Sequence, residues 1–472
     1  MRFMTAAILL GVAAAVAPAA RAQDPAPPPS AAEIDAYIEK AMRDRHVPGL
    51  SAAVVRDGQV VLAKGYGLAD VEQNVPATVD TVYQLASVTK TFTSAAVMLL
   101  VREGKLALDD KINDRLPDLP AVWKDVTVRH LLNHTSGIKS YTSVPDFQKS
   151  PWKDYAHREL LDLVAKEPLE FAPGEKFEYS NTGYYLLGML IEKASGEPYG
   201  RFTAARVFEP LGMSRTRLND LQAIIPGRAR GYRWDRKELE NVAPVSPTQP
   251  FAAGALVSSV SDLIKWDAAL AEHELLDEAT LGSMWTPTRL NGGGESGYGF
   301  GWEVSKVNGR PMVAHGGGIP GFSTQLSRFP DDRLTVIVLT NAEGGHAGAL
   351  ARGIAGRFAP GLAPKPEEPI TDEDEATSRR LRGMMEGATK GEFDPDLFTA
   401  EANERLVPRI KDDKERLASF GALKSFELLE RKADDEGTRL RYRAVFESQR
   451  LKVSFMLDKE GKIRGAGIQP ED

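Results

Sequence analysis

The sequence predicts a layered α/β (α+β) protein with a helical subdomain and a separate small α+β domain at its C-terminal end. Apolar runs typical of strands occur near the start of the chain and again after residue 300, and helical patterns lie between them. A second set of strand-like segments follows a proline-rich stretch near residue 365. Strands from distant parts of a chain can share one sheet, against which the intervening helices pack.

The first elements are a helix and a hairpin. Ser30 is a typical helix N-cap residue, and four apolar residues follow it at helical spacing. Two apolar runs, 50–55 and 60–63, come next and are joined through Asp57-Gly58. That dipeptide favours the tight turn of a β-hairpin.

Helices dominate the middle of the chain, and strands return late. The clearest helical patterns lie at 91–102, 155–166 and 183–194. Strand-like runs follow at 300–307, 325–329 and 334–339, before a helical pattern at 347–358.

The C-terminal part has its own pattern. Residues 359–369 contain four prolines and two glutamates, which indicates a linker. Helical patterns at 372–389 and 400–420 then precede two segments in which apolar and polar residues alternate. Alternation with period two is typical of an antiparallel meander with one buried face. We therefore predict a main domain over 23–362 and an accessory domain of unknown role over 365–472.

The N-terminal segment has the features of an export signal. Arg2 precedes a short apolar run at 6–17, and Ala20-Arg21-Ala22 fits an A-x-A cleavage site. A membrane-spanning helix needs about 20 apolar residues, which is more than this run has. The sequence thus predicts a signal peptide over 1–22, a periplasmic or secreted protein, and no membrane span in the mature chain.

Composition excludes several classes of function. The 472 residues carry a formal net charge of −7 and no run of five basic residues, which argues against nucleic-acid binding. The chain has no cysteine, so it has no disulfide, thiol nucleophile or Cys-ligated metal. Its seven histidines include no His-Glu-x-x-His arrangement, and we expect neither metal nor cofactor.

The pattern Ser-x-x-Lys occurs at Ser87/Lys90, Ser136/Lys139 and Ser150/Lys153. Ser136 lies in a Ser/Thr-rich loop, and Ser150 precedes a proline as helix caps often do. Ser87 instead begins an apolar helix, where free N–H groups and the helix dipole are available. Lys90 shares its helix face, and burial would lower the lysine pKa towards the range of a useful base. A capping serine beside a surface lysine is equally compatible with these residues alone.

Two further motifs supply groups that could contact a substrate. Tyr-x-Asn occurs once, at Tyr179 and Asn181, and supplies a phenol and an amide that both donate and accept hydrogen bonds. A glycine run then follows a histidine near the late strands, at His315, Gly316, Gly317 and Gly318. Glycines let a substrate approach backbone N–H groups closely. Taken singly, the first motif is also typical of a turn and the second of a hairpin.

In this order the motifs resemble those of the serine β-lactamase and penicillin-binding-protein superfamily, specifically its class C-like branch. That branch also holds family VIII carboxylesterases and D-stereospecific peptidases. The resemblance covers roughly 34–358, and Leu-Leu-Asn-His-Thr-Ser-Gly at 131–137 and Pro-Leu-Gly-Met at 210–213 strengthen it. It implies a β-lactamase/transpeptidase-like fold, with an antiparallel sheet flanked by helices beside a helical subdomain.

The resemblance also implies a role for each motif. Ser87 would be the nucleophile that forms an acyl-enzyme, and Lys90 its general base. Tyr179 would relay a proton to the leaving group, while Asn181 holds Lys90 and the substrate. His315 and the three glycines after it would contact the substrate, and the N–H groups of Ser87 and Gly318 would form an oxyanion hole.

One difference from related β-lactamases affects which substrate we expect. Related β-lactamases usually have a lysine where this chain has His315, which is mostly neutral at pH 7. We therefore expect a serine hydrolase acting on small-molecule esters or D-amino-acid-type amides or peptides, with weak or no β-lactamase activity. The alternative is an inactive, penicillin-binding-protein-like receptor for peptidoglycan fragments or a protein partner. An α/β-hydrolase is excluded because Gly-x-Ser-x-Gly is absent.

Overall fold

The computed structural model describes residues 29–145, 147–235, 237–365, 367–434 and 437–471. The predicted signal peptide lies outside these residues. The chain divides into two compact units, the first ending at Ala363 and the second beginning at Pro364, with the short segment Trp234–Glu238 grouped with the second. Within the described ranges, every helix is too short or too polar to cross a membrane.

The first unit alternates helices with short and long strands. Its α-helices are α1 (Ala31–Asp44), α2 (Thr89–Arg102), α3 (Ile112–Arg115), α4 (Val128–Leu132), α5 (His157–Asp162), α6 (Asn181–Ser195), α7 (Tyr199–Thr203), α8 (Phe251–Gly254), α9 (Val260–Ala271), α10 (Glu278–Met284) and α11 (Ala347–Phe358). Its strands are β1 (Gly49–Arg56), β2 (Gln59–Asp70), β3 (Val75–Pro76), β4 (Tyr83–Gln84), β5 (Arg217–Leu218), β6 (Tyr232–Trp234), β7 (Leu239–Asn241), β8 (Leu256–Ser258), β9 (Glu303–Val307), β10 (Arg310–Ile319), β11 (Phe322–Phe329) and β12 (Leu334–Thr340). Single 3-10 or π turns lie at Ala86–Val88, Ala121–Trp123, Tyr141–Ser143, Phe147–Lys149, Ala204–Phe208, Pro330–Asp332 and Pro360–Leu362.

The main sheet joins the two ends of the first unit. Its order is β3-β2-β1-β12-β11-β10-β9, and its neighbouring strands are antiparallel. In the centre Ala53 of β1 lies opposite Ile337 of β12, so strands nearly 300 residues apart are neighbours. This confirms the predicted antiparallel sheet built from distant segments. Two smaller sheets, β4-β8-β5 and β6-β7, are also present.

Helices cover both faces of this sheet. Ser30 caps α1 in a capping box with Glu33, and the apolar stripe of α1 packs with α11 against one face. The strongly apolar α2 and α9 belong to the core on the other face, where Phe92 stacks on Trp266. Residues of β1 alternate between the two cores, as the period of a strand requires.

The second unit is a small α+β domain, as predicted. It contains helices α12 (Glu375–Lys390), α13 (Ala400–Asp412) and α14 (Lys414–Ala418), a 3-10 turn at Pro395–Leu397, and strands β13 (Leu423–Asp434), β14 (Gly437–Phe446), β15 (Arg450–Leu457) and β16 (Ile463–Pro470). The strands form an antiparallel meander in sequence order. Its apolar face and the helices make a core of their own.

Several predicted boundaries differ from those observed. The helix expected over 155–166 spans only α5, because the Tyr155 amide donates to Thr248 Oγ1 at 2.9 Å and holds the start extended. The strand expected from Phe300 begins at Glu303, because Gly301 turns the chain at a φ of 79°. The prediction that Ser150 caps a helix is wrong, since the chain turns there and α5 begins later.

Candidate active site

Ser87 lies in a strained turn directly before α2. The 3-10 turn Ala86–Val88 leads into the helix, and Ala86 adopts a φ of 47°, which costs a residue with a Cβ about 1–3 kcal/mol. The preceding Leu85 is anchored on both sides, because its amide donates to Leu256 O at 2.9 Å and its carbonyl accepts from Thr324 Oγ1 at 2.7 Å. The strained turn therefore presents a partly exposed serine on a fixed support.

Lys90 is fully buried one turn after the serine. Its Nζ donates to Asn181 Oδ1 at 2.8 Å and to Ala253 O at 2.7 Å, and it lies 3.2 Å from Ser87 Oγ. In the described part of the chain no carboxylate pairs with it. Burial holds the pKa of Lys90 well below its usual value, because the charged form would lose its hydration. The predicted burial of Lys90 is confirmed, and its amine is suited to accept a proton from Ser87.

Tyr179 and Asn181 approach the same lysine, Asn181 from the start of α6 and Tyr179 from two residues before it. Asn181 is the first residue of that helix, and its amide group is fixed between Lys90 and Thr142, whose Oγ1 accepts from Nδ2 at 3.3 Å. The Tyr179 ring centroid lies 4.8 Å from Lys90 Nζ. Burial raises the pKa of Tyr179, and the nearby Ser87 hydroxyl opposes that rise. The phenol thus keeps its proton near neutral pH and is available as a donor.

The glycine run forms the end of β10 rather than a turn. An added Cβ at Gly317 would lie 2.2 Å from Leu85 O and 3.1 Å from Ser87 N, so only glycine lets this strand approach the serine. At Gly318 the same atom would meet nothing within 4 Å, in open space beside the serine. Strand β9 pairs with β10 only as far as Ala314, so among the described residues no strand pairs with this edge of the glycine run.

The His315 side chain does not face the open space beside Ser87 and Gly318. Its side chain is buried, with Nδ1 2.6 Å from Gly316 O and Nε2 2.8 Å from Tyr298 OH. A carbonyl only accepts, so Nδ1 carries the proton and Nε2 accepts from Tyr298. Burial and the nearby Lys90 lower the pKa of His315 to about 3. Both ring nitrogens are used within the protein, so a contact of this imidazole with substrate, as expected from the sequence, does not fit its position.

His134 is a further site residue that the sequence analysis did not single out. Its Nδ1 accepts from the Ser180 amide at 3.1 Å, its carbonyl accepts from the Glu178 amide at 3.0 Å, and its ring stacks 4.2 Å from Tyr179. These contacts fix the segment that carries Tyr179 and Asn181. The only available signal was its place in the Leu-Leu-Asn-His-Thr-Ser-Gly motif.

One cavity is lined by three of the predicted residues. Its volume is about 1000 Å³, and Ser87, Asn181 and Gly318 all line it. Neither of the other Ser-x-x-Lys lysines shares this arrangement, since Lys139 pairs with Glu167 and Lys153 lies over the Tyr155 ring. Among the described residues no group of three His, Asp or Glu side chains is placed to hold a metal ion.

A buried lysine lies within hydrogen-bond distance of a partly exposed serine, with a tyrosine and an asparagine beside it, which is the arrangement that the motifs led us to expect. The chain belongs to the Beta-lactamase family, whose match covers residues 34–359. This confirms the superfamily that the motifs indicated.

Individual proteins agree with this assignment. Penicillin-binding protein 4* of Bacillus subtilis (strain 168) is 35% identical over 317 residues, or 64% of this chain and 69% of that protein. The octameric penicillin-binding protein homologue from Pyrococcus abyssi has 26% identity and a TM-score of 0.62, over 93% of this chain and 96% of its own. The D-amino acid amidase from Ochrobactrum anthropi SV3, complexed with L-phenylalanine, has 28% identity and a TM-score of 0.60, over 70% of this chain and 98% of its own.

Proposed function

We propose that the protein is a serine hydrolase that cleaves esters or D-amino-acid-type amides and peptides through an acyl-enzyme on Ser87. The observation that carries this proposal is the 3.2 Å contact between Lys90 Nζ and Ser87 Oγ, made by a lysine whose pKa burial holds well below its usual value. A neutral amine can take the serine proton, whereas a charged ammonium has no free electron pair. Similarity to a D-amino acid amidase supports the amide substrate class.

In the first step Lys90 accepts the Ser87 proton while Oγ bonds to the substrate carbonyl carbon. Backbone N–H groups of Ser87 and Gly318 stabilise the negative charge on the carbonyl oxygen. The bond to the alcohol or amine then breaks as Tyr179 gives its proton to the leaving group, and Lys90 returns a proton to Tyr179. Water attacks the acyl-enzyme with the same groups in reverse, releasing the acid and restoring Ser87.

Anionic β-lactams should be poor substrates of this site. A carboxylate that enters a partly dry cleft needs a charged partner, because an unpaired buried charge is costly. The position that carries a lysine in related β-lactamases holds His315, which stays neutral above a pKa of about 3. We propose weak or no β-lactamase activity on this ground.

We also propose export through the N-terminal segment 1–22, which has a basic start, an apolar run and an A-x-A site. Protein purified from its native host should begin at Gln23. N-terminal sequencing measures this directly, and a chain that begins at Met1 would contradict it.

The test of catalysis is labelling by a fluorophosphonate followed by mass spectrometry of the peptides. Wild-type protein should gain the label on Ser87 and hydrolyse p-nitrophenyl butyrate, whereas Ser87→Ala should lose both. Ser150→Ala removes the serine of another Ser-x-x-Lys pair and should change neither. An unlabelled protein without turnover that still binds peptidoglycan fragments would instead support the inactive receptor.

A further inference from the structure

The cavity at Ser87 contains one carboxylate whose role the proposed reaction leaves open. The ionisable side chains that line it are those of Tyr141, Arg233, Glu343 and His346. Arg233 is already paired, because its Nε and Nη2 lie 2.8 and 2.6 Å from Glu240 Oε2. Within the described ranges the exposed Glu343 carboxylate has neither an ion pair nor a side-chain hydrogen bond.

The backbone holds Glu343 close to the glycine strand. Its amide donates to Tyr232 O at 2.8 Å, which fixes the loop between β12 and α11. The far end of that loop is tied to β11, since the Ala347 amide donates to Ser323 Oγ at 3.2 Å. Ser323 lies directly opposite Gly318 in the register of β10 and β11, and both line the cavity. Glu343 is thus part of the same wall as the proposed oxyanion site.

A carboxylate on the wall of a concave site raises the local concentration of cations and lowers that of anions. Among the described residues that line the cavity there is no lysine, and the arginine, Arg233, is paired with Glu240. The negative charge of Glu343 therefore sets the sign of the potential that a substrate meets as it enters.

We propose that Glu343 is a specificity-determining residue that selects substrates carrying a protonated or quaternary amine. This inference rests on the proposed function, because it concerns the substrate that Ser87 acylates. The favoured substrates are cationic esters or amides, such as amides of amino acids with a free amino group. Neutral substrates are accepted without preference, and anionic ones are disfavoured.

The test compares p-nitrophenyl esters whose acyl chains are of matched length and end in a trimethylammonium, a methyl or a carboxylate group. A second set carries the same three groups on the alcohol half of a butyrate ester, so that either side of the scissile bond is sampled. A fixed quaternary charge keeps substrate titration out of the comparison. The measured quantity is the ratio of kcat/KM for the cationic and the anionic ester.

In at least one set we expect the ratio to fall about fivefold or more in Glu343→Gln, on the scale of one partly solvated charge pair. It should invert in Glu343→Lys, while kcat/KM for the neutral ester stays within about twofold in both variants. Glu272→Gln removes an exposed carboxylate that does not line the cavity, and should leave the ratio unchanged. High salt should reduce the wild-type ratio, because salt screens the interaction.

The outcomes separate this inference from the proposed function. If the neutral ester is hydrolysed by the wild type and not by Ser87→Ala, but both Glu343 variants keep the wild-type ratio in both sets, the role of Glu343 is refuted alone. If Ser87→Ala hydrolyses the neutral ester like the wild type, the proposed function fails and the inference fails with it.

Discussion

One lysine from each unit of this chain shows how far burial and bonding partners can differ for the same type of side chain. Lys90 in the first unit is fully buried, contacts a serine, an amide and a carbonyl, and has a pKa held well below its usual value. Lys424 in the second unit is 58% exposed and pairs with Glu447 at 2.7 Å. Burial lowers the pKa of the first amine because its charged form loses hydration, whereas the second amine lies in water beside a carboxylate.

The contrast extends to other ionisable groups of the two units. His134 and His315 are buried near Lys90, and burial lowers the pKa of each. In the meander of the second unit, Arg443 donates from Nε to both carboxylate oxygens of Glu471 at 2.8 Å, which raises the Arg443 pKa. Uncharged bases in the first unit suit proton transfer, and paired ions in the second suit structural support.

The largest expected effect is at Lys90. Lys90→Arg replaces a base with a group that stays protonated at all relevant pH values, so kcat/KM for p-nitrophenyl butyrate should fall at least ~100-fold. Lys424→Arg is the matched control and should retain full activity. An active Lys90→Arg enzyme would show that another group accepts the Ser87 proton.

The pH dependence sharpens the same comparison. Because the Lys90 pKa is lowered by burial, its neutral form persists to a pH well below 10.5, and kcat/KM should fall on the acid side as Lys90 gains a proton. His315 stays neutral above a pKa of about 3, so it should add no acid limb between pH 5 and 7. The pH profiles of kcat/KM for wild type and His315→Gln should therefore have the same midpoint on the acid side, even if their plateau values differ. A midpoint that moves in His315→Gln would mean that His315 titrates in this range.

A smaller effect is expected at His134, which acts on Tyr179 and Asn181 through position. His134→Phe keeps a ring beside Tyr179 but leaves the buried Ser180 amide without an acceptor, a loss of about 1–3 kcal/mol. We expect kcat to fall about tenfold or more, with KM for the neutral ester nearly unchanged. His134→Asn keeps an acceptor near the position of Nδ1 and should restore part of kcat. Equal kcat values in the two variants would remove the proposed role of this hydrogen bond.

The smallest effect is expected at the surface of the second unit. Lys424→Gln breaks an exposed pair with Glu447, and such pairs contribute about 0.2–1 kcal/mol at most. Thermal unfolding in low salt should change slightly, the difference should shrink in high salt, and activity should stay constant. A loss of activity in Lys424→Gln would show that the surface of the second unit influences the site.

Some features of the site could be predicted because they depend on local sequence. The apolar character of 91–102 predicts that a lysine at its start is buried, and Lys90 is buried. The position of His315 could not be predicted in this way. The motif led us to expect a histidine side chain in contact with substrate. Instead, the hydroxyl of Tyr298, 17 residues earlier, forms a hydrogen bond with the His315 ring. Likewise Ser150-Pro151 has the local chemistry of a helix cap, yet contacts of the following segment with Thr248 prevent a helix there.

The sequence by itself predicted the layered fold and the separate C-terminal domain, and it singled out the serine, lysine, tyrosine and asparagine of the candidate site. Periodicity, capping and motif spacing act over a few residues and are visible in the printed chain. Only the tertiary structure decided which ionisable groups have a pKa shifted by burial and which groups line the cavity. Those properties depend on burial and on partners far away in the chain, such as Ala253 for Lys90 and Tyr232 for Glu343, because desolvation is set by everything that surrounds a group.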